Sequence, residues 1–195
     1  KSNKPIKITA ARSLNFENIA KECVERKGIS VVGIIDCASP YVIEDIEEFL
    51  RKVRELEYAI KLDTNGSFPE KLESIIENGL CDYVAMDIKN SKEKYGLTVG
   101  IEKMDIAKIE ESVDFLKNGN CPYEFRTTVV KELHTPQDIE SMAKWISGAT
   151  QYFLQSFVDS GDLICTGYSG YDKNDMKNML NIAKKHFSNT ELRGI

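Results

Sequence analysis

The stretch "PEKLESIIENGLCDYVAMDIKN", residues 69–90, contains one complete helix–strand unit. Pro69 suits the first turn of a helix, and Gly79 suits the position just after its end. The apolar run at residues 82–88 then follows and is typical of a buried strand. A helix that leads directly into a buried strand indicates an α/β fold.

The same alternation extends along the rest of the chain. We expect one α/β domain over residues 1–195 with about six to seven mostly parallel strands. Right-handed crossovers would close these units into a full or partial TIM-like (βα) barrel, and a doubly wound open sheet is the alternative. The strand-like runs are residues 5–10, 29–36, 58–64, 82–88, 123–130, 150–158 and 190–194, and helical spacing occurs around 16–24, 43–53, 69–79, 106–118, 136–147 and 173–187.

Composition limits the classes of function. The net charge of −5 argues against nucleic acid as the main partner. The sequence contains no run of 18 apolar residues, so it predicts no membrane span. The chain begins with Lys1 and lacks a signal-peptide pattern, so we expect a trimmed or partial chain. Five scattered cysteines indicate reduced thiols in a cytoplasmic protein, and no CxxC or CxxxC spacing occurs.

Polar residues stand at or near the ends of successive predicted strands. Parallel α/β folds gather their functional groups at the carboxyl ends of the strands. Asp87 and Lys89 are two apart, so on a strand they face the same side. The residues of this set are Asp36, Asp63, Thr64, Asn65, Asp87, Lys89, Arg126 and Gln155.

Two interpretations of these strand ends remain open. Asp63, Asp87, Lys89 and Arg126 could together hold a zwitterion, with carboxylates for an ammonium group and cations for a carboxylate. The alternative is a pair of ion bridges at the rim of the fold. His134 and His186 are the only histidines, and neither has a metal-ligand neighbour in the sequence.

Four stretches between about residue 48 and 195 carry a resemblance to a known family. They are "FLRKVRELEYAIKLDTNGSFPEKL", "GLCDYVAMDIKNSKEKY", "YEFRTTVVKELHTPQDIESMAKWISGATQYFLQSF" and "ELRGI". In these stretches the chain resembles the radical S-adenosylmethionine activating enzymes, in particular the anaerobic ribonucleotide reductase activating proteins. The resemblance implies S-adenosylmethionine as cofactor and a glycyl radical enzyme, such as anaerobic ribonucleotide reductase, as partner.

The resemblance also assigns roles to residues. Asp87 and Lys89 would be the family's acid-x-lysine motif at the methionine part of the cofactor. Asp63 and Thr64 would belong to the adjoining cation and cofactor site, and Arg126 would project from the next strand toward the cofactor.

Two family motifs are missing from this sequence. A 4Fe–4S cluster is expected for the family, but the CxxxCxxC loop that binds it does not occur. The Gly-Gly-Glu-Pro motif would fall at residues 37–40, where only Pro40 matches. We therefore expect the chain as given to be inactive in this reaction.

Residues 1–47 resemble a segment of the PHP-superfamily phosphoesterases. That family's metal site depends on histidines, and "KPIKITAARSLNFENIAKECVERKGISVVGIIDCASPYVIEDIEEF" contains none. The chain is therefore expected to be a chimera with a PHP-like βα segment at 1–47 and a radical-SAM-like partial barrel at 48–195. A natural or engineered βα scaffold without catalysis, and a metal-dependent phosphoesterase or nuclease remnant, are the alternative functions.

Overall fold

The computed structural model describes residues 6–9, 31–35, 46–101, 103–159 and 167–194. The strands are β1 (Ile6–Thr9), β2 (Val31–Ile35), β3 (Ala59–Thr64), β4 (Tyr83–Asp87), β5 (Tyr123–Val129), β6 (Tyr152–Ser156) and β7 (Thr190–Arg193). The helices are α1 (Ile46–Glu55), α2 (Pro69–Glu77), α3 (Tyr95–Val99), α4 (Ala107–Asn118), α5 (Pro136–Trp145) and α6 (Lys173–Lys184), and a 3₁₀ turn (Lys92–Lys94) precedes α3. The helix expected around residues 16–24 lies outside the described residues.

The chain divides into two compact units, residues 1–86 with 108–123 and residues 87–107 with 124–195. In the first unit β1, β2, β3 and β4 pair in parallel in chain order. In the second unit β5, β6 and β7 do the same. These pairings confirm the α/β class and the expectation of mostly parallel strands. The predicted single domain, with its segments at 1–47 and 48–195, stays a prediction.

The first unit buries the apolar faces of its helices and strands. Alternate residues of β3 are buried, as a strand pattern with period two requires. Gly66 follows β3 at a φ of 73°, where a Cβ would overlap the end of the Met86 side chain. The core residues of this unit include Ile46, Phe49, Leu50, Val53, Ile60, Leu62, Leu72, Ile75, Val84, Ala85, Met86, Ile109, Val113 and Leu116.

The second unit is built around β6, which lies between β5 and β7. Helix α6 packs against β6, β7 and α5. Its start and that of α5 are well capped, and at α5 Thr135 and Asp138 form a reciprocal capping box. The core residues of this unit include Phe125, Val129, Ile139, Met142, Ala143, Tyr152, Leu154, Met176, Met179 and Ala183.

A buried ion pair connects the two outer strands of the second unit. Glu124 on β5 is 2% exposed, and Arg193 on β7 binds both of its carboxylate oxygens at 2.7 and 2.8 Å. The guanidinium carbon of Arg193 lies 3.3 Å from the ring centre of Phe153 on β6. The pair therefore crosses over the middle strand and holds β7 in place.

No helix among the described residues combines the length and the apolar character that a bilayer crossing demands.

Candidate functional site

Asp87 at the end of β4 contacts two cations in the second unit. Its Oδ2 lies 2.8 Å from Lys89 Nζ, and its Oδ1 accepts a hydrogen bond from Arg126 Nε. The backbone reinforces this arrangement, because the Ile88 N–H donates to the Arg126 carbonyl at 2.8 Å. These three charged residues thus lie together, and their assignment as cofactor-binding residues stays a prediction.

The cluster lies partly open to solvent. Side-chain exposure is 27% for Asp87, 41% for Lys89 and 21% for Arg126. Burial raises the pKa of Asp87, but the charges and hydrogen bonds of Lys89 and Arg126 outweigh burial, so that this pKa lies below its usual value. Asp87 is therefore ionised at neutral pH, and the three side chains carry a net charge of about +1.

His134 supports the backbone next to Lys89. The His134 ring is 2% exposed, and its Nε2 lies 2.8 Å from the Lys89 carbonyl oxygen. Its Nδ1 accepts a hydrogen bond of 3.0 Å from the Val130 N–H. Since Nδ1 is an acceptor, Nε2 carries the proton and donates to Lys89. Burial lowers the pKa of His134, which keeps the ring neutral.

Further hydrogen bonds fix the segment that follows β4. The Asn90 side-chain amide is buried and donates to Thr98 Oγ1 at 2.8 Å and to the Leu133 carbonyl at 3.0 Å. The Thr127 hydroxyl donates to the Ile88 carbonyl at 2.7 Å. Sequence reasoning gave these neutral residues no role, because their partners are mostly backbone groups distant in the chain.

Asp63 and Thr64 end β3 in the first unit. Asp63 Oδ1 lies 3.9 Å from Lys61 Nζ, and Thr64 Oγ1 accepts a hydrogen bond of 3.1 Å from the Gly66 N–H. Asn65 caps the following turn, with its Oδ1 accepting from the Ser67 N–H at 2.9 Å. The prediction that Asp63 shares a cavity with Asp87 stays a prediction. Asp36 lies outside the described residues.

The part of the chain that the structure describes contains no group of three or more His, Cys, Asp or Glu side chains placed to hold a metal ion. His186 instead contacts Glu140 Oε1 at 3.0 Å. The described residues thus offer no fit for an iron–sulfur cluster.

Comparison with known proteins places the chain among named relatives. The chain is 33% identical over 170 residues to "Putative glycyl-radical enzyme activating enzyme MJ1227" of Methanocaldococcus jannaschii, covering 83% of this chain and 70% of that protein. It is also 45% identical over 58 residues to "Uncharacterized protein YqxK" of Bacillus subtilis, covering 29% of this chain and 15% of that protein. No family model matches the chain.

Several solved structures have a fold similar to that of this chain. Streptococcus suis SuiB bound to S-adenosylmethionine has a TM-score of 0.67 at 11% identity, covering 98% of this chain and 48% of SuiB. TYW1 with a lysine-pyruvate adduct has a TM-score of 0.60 at 13% identity, covering 89% of this chain and 58% of TYW1. The chain thus spans about half the length of these structures. At such low identity the likeness shows the fold, an α/β fold of the partial TIM-like barrel class.

The match to the archaeal relative covers most of both chains at an identity that shows common family membership. We conclude that this chain belongs to the glycyl-radical enzyme activating enzymes, a group of the radical S-adenosylmethionine family.

Proposed function

We propose that Asp87, Lys89 and Arg126 bind the methionine part of S-adenosylmethionine. The inherited reaction would be reductive cleavage of this cofactor to place a glycyl radical on a partner such as an anaerobic ribonucleotide reductase. Family membership supports the reaction class. The observation that carries the proposal is the carboxylate of Asp87 between two cations.

The charges of this cluster suit an amino-acid zwitterion. A lysine ammonium has three donors, and one of those of Lys89 points to Asp87. The exposed head of Lys89 can therefore also donate to a ligand carboxylate, while Asp87 accepts from the ligand ammonium. The neutral ring of His134 holds the Lys89 backbone without adding a third cation. His134 is thus a positioning residue in this proposal.

Cleavage of the cofactor requires more than the charged side chains of Asp87, Lys89 and Arg126. In the family, a 4Fe–4S cluster delivers the electron that cleaves bound S-adenosylmethionine. Since the described residues offer no such cluster site, we assign no role in that step to any residue. Asp63 and Thr64 are proposed for the adjoining cation and cofactor site on the resemblance alone. Inactivity of the chain as given stays a prediction, checked by iron–sulfur reconstitution and assay of S-adenosylmethionine cleavage.

The proposed chimera finds no support in these relatives. The match to the archaeal activating enzyme covers a larger share of the chain than residues 48–195 make up. Similarity to an activating enzyme therefore begins before residue 48. The PHP-like origin of residues 1–47, the non-catalytic scaffold and the phosphoesterase remnant stay predictions.

The binding proposal is tested by titration calorimetry of the full chain with S-adenosylmethionine. Lys89→Met removes a charge-assisted hydrogen bond worth about 1.5–3 kcal/mol, so we expect affinity to fall about 10- to 100-fold. Lys131→Met removes an exposed lysine of the same unit and serves as the matched control. The proposal fails if the wild-type chain does not bind, or if both variants bind equally well. Circular dichroism of each variant checks that the fold is retained.

A further inference from the structure

A cavity of about 540 Å³ lies in the first unit, where α2 and α4 end and the segments leading into β4 and β5 begin. Cys81 and Cys121 both line this cavity, and both are thiols. Neither belongs to the residues proposed to bind S-adenosylmethionine. The feature is therefore independent of the proposed function.

The two cysteines lie on neighbouring segments, before β4 and before β5, that are connected by a backbone hydrogen bond. The Val84 N–H donates to the Pro122 carbonyl at 3.0 Å, which connects the start of β4 to the residue after Cys121. The Cys81 and Cys121 side chains also lie close enough for each thiol to shift the pKa of the other. A covalent bond between the sulfurs would thus join segments that are in contact in the folded chain.

The environments of the two thiols differ. Cys81 is buried, whereas Cys121 is half-exposed in the cavity wall. Interaction with Cys121, together with burial, raises the pKa of Cys81, and interaction with Cys81 lowers the pKa of Cys121. Asp82, an acidic group in the same wall, is ion-paired with Arg54 at 2.7 Å, which limits its repulsion of a thiolate. Cys121 is therefore the accessible nucleophile, and the buried Cys81 stays protonated as a thiol.

We propose that Cys81 and Cys121 form a dithiol site that a small-molecule disulfide, entering this cavity, oxidises to an intramolecular disulfide. The Cys121 thiolate attacks one sulfur of the small disulfide, forming a mixed disulfide and releasing one small thiol after protonation. Cys81 then loses its proton and attacks the Cys121 sulfur, which releases the second small thiol. Two protein thiols are oxidised, and one small disulfide is reduced to two thiols.

The test is peptide mapping of the reduced full chain after incubation with oxidised glutathione. Digestion without reductant, followed by mass spectrometry, should yield a peptide pair joined through Cys81 and Cys121. Cys121→Ser should abolish both the linked pair and any glutathione adduct on Cys81. Cys81→Ser should instead trap a stable glutathione adduct on Cys121. Cys165→Ser, which also removes one thiol, should leave the linked pair unchanged.

Two results would overturn the proposal. One is a wild-type chain in which Cys121 stays unmodified while other cysteines react. The other is a wild-type chain in which the glutathione adduct on Cys121 persists and no link to Cys81 forms. Since Cys81 is buried, its replacement could impair folding, and the wild-type map decides the question without that variant. Cys121 is half-exposed, so its replacement by serine is expected to preserve the fold.

Discussion

Replacement of His134 by alanine tests how the segment after β4 is held. The substitution removes two hydrogen bonds, one from the buried Val130 N–H and one to the partly buried Lys89 carbonyl. Leaving a buried polar group without its partner costs about 1–3 kcal/mol. The buried Val130 N–H should incur this full penalty, and the partly buried Lys89 carbonyl should incur less. We therefore expect a loss of about 3 kcal/mol in the free energy of unfolding.

The pH dependence gives this prediction a second readout. Burial lowers the pKa of His134 in the folded chain, so the unfolded chain binds the proton more readily. Stability contributed by the neutral ring is therefore complete above the unfolded pKa of about 6.5 and is lost as pH falls below it. His134→Ala should flatten the pH dependence of unfolding between about pH 7 and pH 5.

The assay is urea unfolding followed by fluorescence of Trp145, the single tryptophan. His186→Ala is the matched control, because that ring is half-exposed and its Nε2 contacts the exposed side chain of Glu140 at 3.0 Å. We expect the control to cost about 0.5 kcal/mol. Equal losses in the two variants, or an unchanged pH dependence in His134→Ala, would refute the assignment of His134 as the support of Lys89.

Three further predictions concern stability. Arg193→Met should lower the free energy of unfolding by about 2 kcal/mol, because Glu124 loses two charge-assisted hydrogen bonds. The loss is smaller than for a fully buried pair, since part of the Arg193 side chain is exposed to solvent. The double variant with Glu124→Gln should recover part of this loss in a urea titration. Gly66→Ala should lower the midpoint of thermal unfolding. The free energy of unfolding should fall by about 2 kcal/mol, because alanine is strained at this positive φ and its Cβ displaces the Met86 side chain. An unchanged midpoint would contradict this prediction. Burial raises the pKa of Asp138, but hydrogen bonds from Lys94 and Thr135 outweigh burial, so this pKa lies below its usual value. The stability that the ionised Asp138 contributes is therefore lost as pH falls through about 4. In calorimetric scans Asp138→Asn should remove this acid-induced loss of stability.

The strand pattern could be predicted because it depends on local sequence. The apolar run at residues 82–88 predicted a strand that the structure has at Tyr83–Asp87. Helix α3 was missed, since five residues, Tyr95–Val99, are too few to show helical periodicity. Its end at Gly100, with a φ of 75°, could be recognised only once the helix was known.

The candidate site was predictable in part for a similar reason. Asp87 and Lys89 contact each other because residues two apart on a strand share a face. The contact of Arg126 with Asp87 followed from placing strand ends together. The role of His134 could not be predicted, because its ring bonds to the backbone of Lys89, and a backbone carbonyl leaves no trace in the sequence.

The ion pair across β6 has a consequence for synthesis of the chain on the ribosome. Arg193 follows Glu124 by 69 residues, so the carboxylate leaves the exit tunnel well before its guanidinium partner is translated. During that interval a nascent chain that folded β5 would bury an acid without the two donors that Arg193 supplies. The second unit should therefore reach its native packing only after β7 has emerged, and arrested nascent chains ending before β7 should remain sensitive to protease.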